Sequence, residues 1–191
     1  MLKNTLASAA VALAAGSAQA ITIEFDYSYD TGTFFTGAHR SVMDAVATEF
    51  GNRLTDSLAA ITVGGINQFQ PEVGLITGAS STLAPNQSIP ADTLRIFVGA
   101  RPLAGNTLGI GGTGYSAGGT TAFMSGLANR GQALPQGSDY GPFGGAMVFD
   151  SGANWYVDDD ISTVESFSSF DFYSVVIHEL GHVLGIGISA P

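Results

Sequence analysis

His178-Glu179-Leu180-Gly181-His182-Val183-Leu184-Gly185 is the stretch on which the reading of this chain turns. Around it, Phe172, Val176, Leu180 and Val183/Leu184 recur at helical spacing, with Ser169 or Asp171 available as the N-cap and Gly185 as the terminator. On such a helix His178 and His182 stand one turn apart and point the same way, so two imidazoles can grip one metal ion.

Zinc suits these ligands, because neutral imidazole binds it at about 2.0 to 2.1 Å and a site with an open position keeps a water. Bound zinc lowers the pKa of that water towards roughly 7 and polarises a carbonyl. Glu179, beside the first candidate ligand, is placed to take the water's proton and pass it to a leaving amine. The bland reading is a chance string on a buried helix. Against it stand the helical period, read independently of the motif, and an export signal at the other end of the chain.

Upstream, Ile21 to Tyr29 alternates Ile21, Ile23, Phe25, Tyr27 and Tyr29 with polar partners, the period of a half-buried strand. Thr36 caps a helix expected from Gly37 into the late fifties, with Val42, Val46, Phe50, Leu54 and Leu58 as one apolar stripe. Ile61 to Val63 is a candidate short strand, Gln68 to Pro90 reads as loop, and Thr93 to Ala100 as a strand. From Gly99 to Gly145 glycine is frequent enough to favour short strands, such as Leu108 to Thr113, with one or two helical turns at Ala122 to Arg130. Ala146 to Phe149 and Trp155 to Val157 are further strands. The order suggests an α+β domain in which a mixed sheet is backed by helices.

Composition limits the function. The 191 residues carry 45% hydrophobic and 12% charged side chains, the signature of one folded domain. The formal charge is -10, with five arginines and 16 acids once Lys3 is set aside, so nucleic acid is not an expected partner. There is no cysteine, which excludes thiolate catalysis and Cys-ligated zinc and leaves His and carboxylates for any metal. The glycines at 109, 111, 112 and 114 lack the Gly-Lys-Ser/Thr ending of a phosphate loop and suit turns or an exposed edge able to pair with an extended substrate.

Residues 1–20 run from Met1-Leu2-Lys3-Asn4 through an apolar Ala/Leu/Val stretch to Ala18-Gln19-Ala20, the three sections of a secretory signal. Cleavage is expected near Ala20, delivering residues 21–191 outside the cell or to the cell envelope. The apolar run is short of the roughly 20 residues of a membrane span, and none is expected in the mature chain.

With those residues in view, His178-Glu179-x-x-His182-x-x-Gly185 resembles the metzincin zinc endopeptidases, the matrixins in particular. Phe149-Asp150, with Trp155 five residues after the Asp, is similar to the matrixin strand that precedes the zinc helix. Ala91-Asp92-Thr93-Leu94-Arg95-Ile96-Phe97 resembles the family's Ala-Asp-Ile strand region. The resemblance covers most of Ile21 to Gly187, and only the zinc helix is highly specific. It implies a zincin fold, a twisted mixed sheet over two long helices, the second carrying the motif, with the cleft below an edge strand.

The departures are informative. Metzincins continue to a third ligand three residues after the Gly, and here that position is Ile188. His39, the other histidine, is expected to be a solvated residue near a helix start. A third His well downstream, as in the leishmanolysin type, and the methionine turn would both follow Pro191, so a catalytic domain incomplete at its C-terminus is expected. Val148 stands where the family's structural zinc has a His, so only one zinc, the catalytic one, is expected. Asp150, Asp158 and Asp160 are candidate calcium ligands, with Ala153 in place of the usual Glu; a solvated acidic turn is the competing reading. Trp155, Tyr156, Phe167, Phe170 and Phe172 suit either a cleft lining or the core, the core being favoured.

The expectation is a secreted zinc metalloendopeptidase, with His178 and His182 as ligands and Glu179 activating the water against a peptide bond of a protein or peptide substrate. The alternative is a catalytically inactive secreted or surface binding protein, or a truncated fragment, that keeps the zincin fold. The absent third ligand is its argument. Substrate and oligomeric state are not legible.

Overall fold

A computed structural model describes residues 20–131, 143–158, 160, 162–163 and 166–187. The expected leader up to Gln19, the position of Ile188 and Asp159 lie outside the described residues.

The described chain is an α+β structure built on a four-stranded twisted sheet in the order β1-β3-β6-β4. Strands β1 (Thr22–Asp26), β3 (Thr93–Arg101) and β6 (Gly144–Asp150) run parallel, and β4 (Gly109–Gly112) closes one side antiparallel to β6. Thr22 pairs with Thr93, Arg95 with Gly144, and Ile110 with Val148. The interior strands are apolar on both faces, as a sheet covered on both sides requires.

One face carries α1 (Gly37–Gly51) and α4 (Phe172–Val183), packed on Ile96, Val98, Met147 and Phe149. Phe172, fully buried at the start of α4, meets the rings of Phe34, His39, Phe149 and Trp155. The Tyr173 hydroxyl donates to Glu49 Oε2 at 2.8 Å and ties the two helices together. The other face is covered by α2 (Gly74–Thr77), whose Val73 and Ile76 pack on Phe97, Ala146 and Val148. A smaller cluster of Ile61, Phe69, Ile89 and Phe143 lies beside an antiparallel pair, β2 (Gln68–Pro71) with β5 (Tyr115–Gly118), and against α3 (Thr121–Ala128).

Several expectations need revision. The first helix ends at Gly51 rather than in the late fifties. A Cβ there would run into the Ile21 carbonyl oxygen, so the glycine lets the last turn of the helix lie against the chain entering β1. Leu54 and Leu58 stay in the same core as loop residues. Thr36 is at the N-cap position, yet its hydroxyl bonds His39 Nδ1 at 2.8 Å instead of a backbone N–H. His39 is not a solvated residue: its ring sits among Phe34, Phe35 and Phe172, and Nε2 is buried with no hydrogen-bond partner among the described residues. The Gln68 to Pro90 region, read as loop, contains β2 and α2, and Ile61 forms only an isolated bridge to Ile89.

Candidate metal and catalytic site

Asp171 starts the site: its carboxylate accepts the Ser174 N–H at 3.1 Å and caps α4. The apolar stripe of α4 then faces the sheet and leaves His178 exposed, Glu179 buried and His182 half-buried along the adjoining face. The Nε2 atoms of His178 and His182 lie 3.1 Å apart, their rings nearly perpendicular at 89°. Two tetrahedral zinc ligands at about 2.0 to 2.1 Å place their donor atoms about 3.3 Å apart, so this pair of nitrogens fits one zinc ion.

The helix ends in a Schellman turn. Gly185 takes φ 89°, the Gly185 N–H donates to the His182 carbonyl at 3.1 Å, and the Ile186 N–H reaches back to the Gly181 carbonyl at 2.8 Å. That reversal brings the Ile186 carbonyl oxygen to 3.0 Å from His182 Nδ1. A carbonyl can only accept, so Nδ1 carries the proton and Nε2 keeps its lone pair for a metal. Ile186 thus belongs to the site through its backbone, a role invisible in side-chain motifs; the glycine at 185 was its one signal.

Glu179 is 5% exposed and lies under β4. A Cβ on Gly109 would fall 2.9 Å from Glu179 Oε1, and one on Gly111 would run into the Glu179 carbonyl oxygen. Bare glycine backbone is what lets the edge strand lie this close to the helix. Burial pushes the Glu179 carboxyl up, and the His178 imidazole, the Gly111 N–H and His182 pull it back in turn. A carboxyl raised in this way holds a proton more readily than an exposed one, as a proton-transferring group requires.

Next to it opens a cleft of about 420 Å³, floored by Ser174, Val175, His178 and Glu179 and walled by Asn106 to Gly109. A second hollow of about 340 Å³, between Ala59–Thr62 and α3, has no imidazole or carboxylate among its described lining residues.

Among the described residues no three or more ligating side chains gather into a metal cluster. The candidate calcium acids accept local hydrogen bonds. Asp150 Oδ1 accepts the N–H groups of Leu103 and Gly152, Asp158 accepts the Asp160 N–H, and Asp160 accepts from Ser162. Trp155 Nε1 donates to the Asp150 carbonyl at 2.8 Å, which gives the Asp-to-Trp spacing its purpose: the indole locks the end of β6 against the start of α4. The aromatics divide. Phe172 and Trp155 belong to the core cluster, whereas Phe167 and Phe170 are about half exposed, and Phe167 stacks on Tyr156.

The matrixin family model matches residues 125–190, which hold β6, Trp155 and the whole of α4. This segment is matrixin-like. Metalloendoproteinase 1 of Glycine max is 37% identical over 54 residues, an alignment that covers 28% of this chain and 18% of that protein. The chain therefore spans under a fifth of the length of the curated relative it matches. No solved structure matches. Over that segment the chain is similar to the matrixins, a family that is zinc-dependent, and to a protein named as a metalloendoproteinase.

Proposed function

We propose that this protein is an exported zinc metalloendopeptidase, with His178 and His182 as ligands and Glu179 as the proton-transferring group. The observation that carries the reading is the convergence of two imidazole nitrogens 3.1 Å apart beside a buried carboxylate. When bound, zinc supplies a Lewis acid and a water of lowered pKa. The chain's own residues do the rest. His182 is held in the metal-binding tautomer by the Ile186 carbonyl. Glu179, buried and raised, accepts the proton of the attacking water and passes it to the departing amine. The bare edge of β4 is available to an extended peptide.

Two measurements test this. Elemental analysis of the purified chain should find zinc, and the zinc should be lost in His182→Ala. Glu179→Gln should keep the zinc and lose at least about a hundred-fold in peptide hydrolysis. Wild-type turnover in Glu179→Gln would remove that residue from the mechanism. Zinc-free wild-type protein would favour the inactive binding protein, whose support is the lack of a three-ligand cluster among the described residues.

Export rests on residues 1–20. Among the described residues no helix is long and apolar enough to cross a membrane. The intact mass of the exported protein should correspond to a chain beginning at Ile21; a mass that includes Met1 would refute cleavage near Ala20.

A further inference from the structure

A peptide strand added to the outer edge of β4 would present its side chains alternately to the two faces of the sheet. Strand β4 itself sorts those faces. Gly109 and Gly111 look towards α4, while Ile110 packs with Val73, Ile76 and Val148 on the opposite face, and a Cβ on Gly112 would meet Leu75 Cδ1 at 3.3 Å. Every second side chain of the added strand therefore leaves the cleft above α4 and enters the other side of the edge.

There the structure has a hollow of about 230 Å³ lined by Glu72, Leu75 and Gly111 to Gly114. Glu72 follows β2, and its N–H donates to the Gly114 carbonyl at 2.8 Å, which fixes it against the chain leaving β4. Gly114 makes room for the carboxylate, since a Cβ there would lie 2.5 Å from Glu72 Oε2. The Glu72 side chain is exposed and has no hydrogen bond or ion pair among the described residues.

The described arginines are committed elsewhere. Arg53 pairs with Glu49, Arg95 with Glu24, Arg101 donates to the Leu75 carbonyl, Arg130 to the carbonyls of Ala59 and Thr93, and Arg40 lies over Tyr27. The hollow beside the edge strand thus ends in a carboxylate whose charge nothing nearby among the described residues neutralises.

We propose that Glu72 forms a specificity subsite on the face of β4 opposite α4, selecting a Lys or Arg side chain of an extended peptide. This deepens the peptidase reading and rests on it for the peptide's position along β4. The group is solvent-exposed, so its effect is modest and screened: a preference of about three- to five-fold for a cation over an anion, shrinking at high salt.

The test uses the full chain and matched fluorogenic peptides that differ only by Arg or Glu at one position, scanned along both sides of the cleaved bond. The wild type should show a higher kcat/KM for Arg at one of these positions. The Arg-to-Glu ratio there should collapse towards one in Glu72→Gln and invert in Glu72→Lys. Turnover without discrimination, or discrimination that survives Glu72→Gln, overturns the proposal. If the chain cleaves none of the peptides, fluorescence anisotropy of the same labelled peptides separates the two readings: an Arg preference lost in Glu72→Gln upholds the subsite while the peptidase reading fails, and absence of binding by any peptide overturns the subsite as well.

Discussion

At the scale of single residues, the sequence is most legible where chemistry needs a particular side chain. His178, Glu179 and His182 stand out because two imidazoles and a carboxylate at this spacing have few other uses. His39 is the opposite case: on composition alone it is a polar residue near a helix start. In the structure its ring fills a gap between Phe34, Phe35 and Phe172, a long-range packing fact that no local pattern carries. Burial lowers its pKa from the ordinary value of 6.5, with Asp30 pulling weakly the other way. Because the folded pKa is depressed for a base, the unfolded chain binds the proton more readily. The contribution of His39 is complete above the unfolded value and is lost as the pH falls below it, levelling off beneath the folded value. The urea midpoint should therefore fall less between roughly pH 7 and about pH 5 in His39→Phe than in the wild type. Parallel pH dependence in the two proteins would show that His39 does not titrate in this window.

At the scale of elements, periodicity located the helix that matters. The stripe Phe172, Val176, Leu180, Val183 is buried, and Asp171 is the cap. Period alone overran the first helix, because Leu54 and Leu58 keep the apolar spacing while packing in the same core as loop residues. It also missed β2, β5 and α2, which are too short to show a period and gain their structure from pairing and from covering the sheet. The Schellman turn makes a prediction at this scale. Gly185→Ala places a Cβ at φ 89°, at a cost of about 1 to 2 kcal/mol in stability. By disturbing the Ile186 carbonyl that orients His182, it should also weaken zinc binding about ten-fold. Chemical denaturation and competition with a chelating dye would check both; a stability loss with unchanged affinity would show that the carbonyl contact does not tune the ligand.

At the scale of the whole molecule, the matrixin-like segment supplies only β6 to a sheet whose other strands lie upstream of it, between Thr22 and Gly112. The expectation of a mixed sheet backed by helices holds at the level of class. The antiparallel placement of β4 at the edge follows from tertiary packing that its glycines permit but do not announce. A metal that binds the folded chain and not the unfolded one stabilises everything coupled to the site. Free zinc at a hundred times its Kd should add about 2.7 kcal/mol, seen as a higher Tm that a chelator reverses and that His182→Ala lacks. A Tm indifferent to zinc and chelator would mean that no ion is held by the fold.

The parallel core has a bearing on how the site comes into being. Thr22 pairs with Thr93 and Arg95 with Gly144, partners far apart in the chain, and the sheet they build is the surface on which α4 docks. Such non-local closures are the slow steps of folding, since chain entropy is lost before contacts repay it. The groove between β4 and α4 is built on the products of those closures, since β4 pairs with β6 and α4 packs on the same sheet. Competence for chemistry therefore belongs to the sheet and helix together rather than to the helix alone.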